Sequence, residues 1–352
     1  MAETDLPQDM QAVIQLNDGY SGSADGPSIS DASKYVKNAN IPVPTPAEGQ
    51  VLVRMITSVV NPSDLHFIKG EYGQPCRKGF PAGFEGCGIV VAAGDPASAK
   101  LIGKRVSFAV SLTGSGTWAQ YALTDANTCI VLHPDVSDID AAALIVNPLT
   151  AVAMVDLVSQ TYAAQKGDAF IITAASSQLG KLMVGLGADL GLKPIAVIRR
   201  AEAAEPLKKL GAEQVLVTSE PDFADQMQSA MKNLKPRIML DAVADQTSAD
   251  IFAAMPPHAK WVCYGKLSPQ NPQLTQMGQF IFMGKKIEGF WLVNWMRTTP
   301  TKQKIAVFTE VQARFADGRW QTDVAIKLPM QDIVAGLAAA TKLTDGKIII
   351  TY

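Results

Sequence analysis

The sequence predicts an α/β protein in which a doubly wound parallel sheet is joined to a β-rich domain. Three observations carry this. Between residues 169 and 264, short apolar runs alternate with helical patterns, the signature of a parallel sheet with crossover helices. Before residue 137, short strand patterns follow one another with glycine turns at close intervals. Residues 320–352 leave the alternating cadence and are assigned back to the β-rich part. The expected domains are therefore 1–145 with 320–352, and 146–319.

In chain order, residues 11–16 read as a first strand and the Gly- and Ser-rich stretch 19–30 as a loop. Residues 49–60 (GQVLVRMITSVV) alternate partially, as expected of a strand with one well-buried face. Asn61-Pro62-Ser63-Asp64 breaks that strand and offers a helix start, with Ser63 as cap and Leu65 and Ile68 following. Tyr72-Gly73 closes the short helix. Further strands are expected at 90–93, 104–109 and 118–123, after a glycine-rich bend at 80–91. Residues 141–160 are helical in pattern, with Pro148 as an expected break. The alternating section follows: strands at 169–173, 194–198, 214–217, 237–243 and 261–264, with helices between them. Residues 284–295 read as one more apolar, aromatic strand. Within it, 290–296 would form a sheet edge at which two copies pair as a homodimer. A helix over 302–317, a strand at 324–328, a helix at 332–341 and a strand at 347–351 complete the chain.

The stretch 166–200 (KGDAFIITAASSQLGKLMVGLGADLGLKPIAVIRR) organises the second domain. It reads strand, small-residue turn, helix, strand. A helix N-terminus carries free N–H groups and the positive end of a dipole, which suits a phosphate. The dinucleotide fingerprint G-x-G-x-x-G becomes Ala175-x-Ser177-x-x-Gly180, keeping only the glycine that lets helix and strand pack closely. On this turn alone an ordinary βα connection remains an alternative. The far end favours a nucleotide. Where an NAD site places an acidic residue for the ribose hydroxyl, this chain has Arg199 and Arg200, and a guanidinium there pairs with a 2′-phosphate. The cofactor indicated is NADPH. A solvated arginine pair is the alternative.

Composition narrows the class. With 47% hydrophobic and 18% charged residues, the 352-residue chain has enough apolar surface for two cored domains. A net charge of −2 gives no electrostatic footprint for nucleic acid or an anionic membrane. The apolar region 141–158 is interrupted by Asn147, Pro148 and Asp156 and is no membrane span. The acidic start, MAETDLPQDM, does not read as a signal peptide. The scattered Cys76, Cys87, Cys129 and Cys263 suggest reduced thiols in a cytoplasmic protein. His66, His133 and His258 are too far apart to propose a metal site.

Three local motifs then occur in a telling order: Asn61-Pro62-Ser63-Asp64 with Gly70-x-Tyr72, then Gly83-x-Glu85-Gly86-x-Gly88, then Asn147-Pro148-Leu149-Thr150-Ala151. Together they resemble the medium-chain dehydrogenase/reductase superfamily, over nearly the whole chain. The resemblance implies a GroES-like β-rich domain and a Rossmann domain. Zinc members of that superfamily carry a ligand cysteine where this chain has Asn61 and a histidine where it has Phe84. Neither residue completes a thiolate–imidazole site, so the chain resembles the zinc-free branch. That branch includes quinone oxidoreductases and 2-enoyl thioester reductases. Asn147–Ala151, Gly289-Phe290-Trp291-Leu292 and Lys347 look most like the latter.

The resemblance implies hydride transfer from NADPH to a quinone, an enone or an enoyl thioester. Charge then builds on the carbonyl oxygen, and a placed hydroxyl can stabilise it. By resemblance Tyr72 takes that role, against the alternative that it only packs at a helix end. Asn147 would sit beside the nicotinamide or its ribose. Ser176, Ser177, Gln178 and Leu179 would meet the pyrophosphate, and Arg199 and Arg200 the 2′-phosphate. Tyr264 and Gly265 would lie at the carboxyl edge of the sheet, with Phe290, Trp291 and Leu292 beside the nicotinamide. Lys347 would reach the cofactor from the returning C-terminal segment, and the active cleft would lie between the domains. A non-catalytic NADPH-binding protein is the rival from another class.

Overall fold

In the computed structural model, residues 6–111, 113–165, 167–343 and 346–352 are described. The first residues of the acidic start, 1–5, and Lys166 lie outside them. The chain divides into two units, 1–146 with 308–352, and 147–307. The second piece of the first unit begins at Phe308, inside a helix.

The first unit holds β1 (Asp9–Gln15), β2 (Val36–Pro42), β3 (Gln50–Val60), β4 (Glu85–Ala93), β5 (Arg105–Ala109), β6 (Tyr121–Asp125) and β7 (Ile130–Val131). Helices α1 (Pro62–Ile68) and α2 (Asp138–Ala142) interrupt them, and α3 (Val146–Gln165) leads away. The second unit contains β8 (Ala169–Ile172), α4 (Gln178–Asp189), β9 (Lys193–Ile198), α5 (Ala204–Lys209), β10 (Gln214–Val217), α6 (Phe223–Leu234), β11 (Ile238–Asp241), α7 (Gln246–Ala254), β12 (Lys260–Cys263), α8 (Gly278–Phe282), β13 (Lys286–Gly289) and α9 (Leu292–Thr298). The chain ends with α10 (Thr301–Ala316), β14 (Val324–Pro329), α11 (Ile333–Ala340) and β15 (Lys347–Thr351).

In the first unit, β1 and β2 pair antiparallel, and a larger sheet runs β14-β15-β3-β4-β5-β7, with β6 on β3. The long β3 is central. Val51, Leu52, Val53 and Val59 are fully buried along it, and β15 docks antiparallel from Ile348↔Val60 to Thr351↔Thr57. The terminal hydroxyl of Tyr352 reaches Ser58 Oγ at 2.7 Å and the Thr117 carbonyl. In the second unit the parallel sheet runs β10-β9-β8-β11-β12-β13. The order therefore reverses between β8 and β11, the place where open α/β sheets bind ligands.

Four expectations change. The cap of α1 is Asn61 rather than Ser63, with the Asn61 N–H donating to Asp64 Oδ2 at 2.7 Å. Pro148 does not break a helix. It sits in the first turn of α3, where its missing N–H has no intrahelical partner to lose, and the break comes at residues 143–145. Strand β2 was not foreseen, because its apolar Val36, Ala39 and Ile41 do not alternate and most of its residues are exposed. The strand expected over 290–296 is instead helix α9. Leu292, Val293, Trp295 and Met296 are half-buried while Asn294 and Arg297 are exposed, which is a helical spacing and not alternation. At this side of the sheet the outer strand is β13.

Candidate active site

In the second unit, the candidate nucleotide residues follow the carboxyl ends of parallel strands. After β8 the chain turns through Ala174 at φ 48°, a left-handed residue that achieves the turn without the first glycine. Ser177 caps α4, its Oγ accepting from Gly180 N–H at 3.1 Å. Gly180 is required by contact: a Cβ there would lie 2.5 Å from the Ala175 carbonyl oxygen. Ser176, Ser177, Gln178 and Leu179 are all half-buried at this helix start. A helix start carries first-turn N–H groups and the positive end of the helix dipole, so the turn fits a phosphate. Arg199 and Arg200 follow β9, the strand paired with β8, and both are exposed. Tyr264 and Gly265 follow β12, and Phe290, Trp291 and Leu292 follow β13. The Phe290 N–H donates to the Cys263 carbonyl at 2.8 Å. Tyr264 carries a buried hydroxyl with no hydrogen bond; burial, then the nearby Asp241, push its pKa up. Asn147 is buried in the first turn of α3.

Asp241 braces this edge and was missed from sequence. Fully buried at the end of β11, it accepts from Thr173 Oγ1 (2.5 Å), Ser248 Oγ (2.9 Å), Trp261 Nε1 (2.7 Å) and the N–H groups of Val243 (3.0 Å) and Ala244 (3.1 Å). These donors come from the end of β8, from α7, from β12 and from the following turn. Its one sequence signal was a carboxylate inside the apolar run 238–243.

In the first unit, Tyr72 is half-buried, its ring 5.0 Å from Phe84 and edge-on to Phe67 at 6.5 Å; Phe67 and Phe84 stack at 4.8 Å. A second group lies behind Phe84. Glu85, fully buried, accepts from Asn61 Nδ2 on Oε1 (2.7 Å), and from Ile145 N–H (3.1 Å) and Val146 N–H (2.8 Å) on Oε2. The Lys347 ammonium donates to Asn61 Oδ1. The ammonium of Lys347, which the resemblance assigns to the cofactor, is buried among Asn61, Glu85 and Asp64. β15 pairs with β3 immediately before the Asn61 turn, which brings the lysine there.

Burial raises Glu85 and lowers Lys347, each effect partly offset by the other's charge. Asp64 is pushed up to about 7, mainly by burial and further by Glu85, against the Asn61 N–H bond. Its Oδ1 is buried without a well-formed partner. An acid raised in the folded state favours folding below its unfolded value of 3.8 and loses that contribution as pH rises through about 7. Urea denaturation should therefore show stability falling from pH 4 to 7 more steeply in the native chain than in Asp64→Asn. The difference should be at most about 4 kcal/mol, and parallel slopes would refute the assignment.

Comparisons with known proteins agree on a single family. Residues 47–135 match the profile described as alcohol dehydrogenase GroES-like domain, and 179–307 that described as zinc-binding dehydrogenase. The mouse mitochondrial enoyl-[acyl-carrier-protein] reductase is 31% identical over 91% of this chain and 86% of its own length. A Mesorhizobium loti structure, provisionally named an NADPH:quinone reductase, is 42% identical, with TM-score 0.93 over 99% of this chain and 100% of that one. The Candida tropicalis 2-enoyl thioester reductase heterodimer shares the fold at 22% identity, with TM-score 0.78 over 98% and 100%. The zinc in the second description does not fit these residues. Asn61 is committed to Lys347 and Glu85, Phe84 offers no ligand atom, and among the described residues no group of three or more His, Cys, Asp or Glu could hold a metal. The chain is an oxidoreductase that belongs to the zinc-independent medium-chain dehydrogenase/reductase superfamily.

Proposed function

We propose that the protein is an NADPH-dependent reductase of quinones or other conjugated carbonyls. The observation that carries the reading is the exposed pair Arg199–Arg200 at the end of β9, beside the β8–α4 turn. The similarity to the Mesorhizobium loti protein supports the quinone class. The 31% identity to the mouse enzyme favours a second reading, an enoyl thioester reductase. A panel of quinones, enones and enoyl thioesters, read by NADPH consumption, separates the two. NADPH binding with no turnover of any of them would leave a non-catalytic cofactor binder.

Bound NADPH supplies the hydride. The start of α4, with Ser176, Ser177, Gln178 and Leu179, holds the pyrophosphate through N–H groups and the helix dipole. The arginine pair holds the 2′-phosphate through charge-assisted bonds. Tyr264, Gly265 and residues 290–292 line the same strand ends, with Asn147 assigned to the nicotinamide. Tyr72 donates from its hydroxyl to the acceptor's carbonyl oxygen as charge develops there. Lys347 acts from a distance, by balancing the charge of Glu85.

The partner is a second copy of this chain. The edge strand β13 exposes Ile287, and α8 just before it leaves Ile281 and Phe282 74% and 85% exposed. An open edge beside an apolar patch is a pairing surface. Light scattering should give a dimer that dissociates in an Ile287→Lys/Phe282→Glu variant; an unchanged mass would reject this edge. Cytoplasm is the compartment assigned: the four cysteines are free, and among the described residues no helix is long and apolar enough to cross a membrane. Cell fractionation checks it.

Arg199→Ala/Arg200→Ala should weaken NADPH about a hundredfold relative to NADH, from the loss of two charge-assisted contacts. An unchanged cofactor preference would remove the pair from the site. Tyr72→Phe should lower kcat about a hundredfold, as loss of one oxyanion donor does elsewhere, with NADPH affinity kept. Full turnover would return Tyr72 to packing.

A further inference from the structure

The segment carrying Tyr72 is held from two sides. On one side α1 ends in a Schellman arrangement: Gly70 N–H donates to the Phe67 carbonyl and Glu71 N–H to the His66 carbonyl, both at 2.9 Å, with Gly70 at φ 75°. This fixes the direction of the chain up to the residue before Tyr72. On the other side lies loop 17–30. Ser21 N–H donates to the Gly70 carbonyl at 2.9 Å, and Gly19 exchanges two hydrogen bonds with Cys76, at 3.0 and 2.9 Å. A Cβ on Gly70 would stand 2.8 Å from Ser21 N, so the loop lies directly against the turn.

The Glu71 side chain joins the two sides and is 1% exposed. Its Oε1 takes the Lys69 ammonium at 2.9 Å and the Ser23 hydroxyl at 3.0 Å. Its Oε2 lies 3.2 Å from His66 Nδ1. Lys69, 5% exposed, also donates to the Gly26 carbonyl at 2.6 Å. One carboxylate therefore ties helix α1, its terminator and the loop. Burial pushes Glu71 upward, but Lys69 and Ser23 outweigh it and hold the carboxyl below its ordinary value. A buried ion pair is weak as a source of net stability and strong as a device for fixing one arrangement.

We propose that Glu71 is a positioning residue for the reduction: by locking loop 17–30 onto α1, it fixes the backbone from which Tyr72 presents its hydroxyl to the acceptor carbonyl. The inference rests on the donor reading of Tyr72. With the backbone held and the ring resting against Phe84 and Phe67, the tyrosine has little freedom left.

The test compares Glu71→Gln, which keeps the shape and removes the charge, with the milder Ser23→Ala, each alone and on a Tyr72→Phe background. The readouts are kcat and KM with a simple enone, NADPH affinity by fluorescence, and hydrogen exchange of residues 19–26 and 70–76. Glu71→Gln should lower kcat about 10- to 100-fold, the scale of a small misplacement at a reacting group. NADPH affinity should stay within about twofold, since the cofactor contacts assigned above are elsewhere. Amide protection in 19–26 should fall, and Ser23→Ala should show a smaller change in the same direction. On the Tyr72→Phe background Glu71→Gln should cost nothing further. An undiminished kcat, or an equal fall on both backgrounds, overturns the proposal while leaving Tyr72 as donor. A fully active Tyr72→Phe overturns the donor reading and this inference together. Should Glu71→Gln fail to fold, the Ser23→Ala cycle decides by the same criteria.

Discussion

The first unit depends on one buried carboxylate. Glu85 stands at the start of β4, fully out of water, where an uncompensated charge would cost several kcal/mol. Its partners are drawn from separate stretches of chain: the Asn61 carboxamide that precedes α1, the N–H groups of Ile145 and Val146, and the Lys347 ammonium from β15. Holding Glu85 also holds its neighbour Phe84, against which the Tyr72 ring rests. The lysine supplies a positive charge next to the position that a metal ligand occupies in zinc relatives.

The second unit solves a similar problem without a cation. Asp241 is equally buried, yet its partners are hydroxyl, indole and backbone donors, five in all. They gather the ends of β8, β11 and β12 at the reversal in strand order. A rigid strand edge is what a nucleotide site requires, since the ligand meets turns whose positions the strands dictate. The turn after β8 tolerates Ala174 in a left-handed conformation on this support.

Local features were the legible ones. The apolar run of β8, the helical spacing of α4 and the small-residue turn between them are encoded within a single βαβ unit, and β10 and β15 lie where their patterns put them. Short-range patterns failed where two periods compete. Residues 290–296 are apolar enough for a strand, but the polar Asn294 and Arg297 sit at a helical interval. The mostly exposed β2 lacks the alternation of a strand and is specified by its pairing with β1. Least legible were the buried charges. Lys347 and Asn61 are 286 residues apart, and nothing near either residue reveals the other. Tyr72 could be singled out only by resemblance, because a tyrosine after a helix-ending glycine has no chemical signature of its own.

The division of the first unit into two pieces of chain bears on how the protein is made. Residues 147–307 are contiguous and can complete their sheet as soon as they leave the ribosome. The first unit cannot, because β15 lies between β14 and β3 and follows the whole of the second unit in the sequence. Until it arrives, residues 57–60 of β3 lack their β15 partner and Glu85 lacks its lysine. During synthesis, the earlier-made half is thus the later to mature, and its exposed edge is the segment that a chaperone would have to shield.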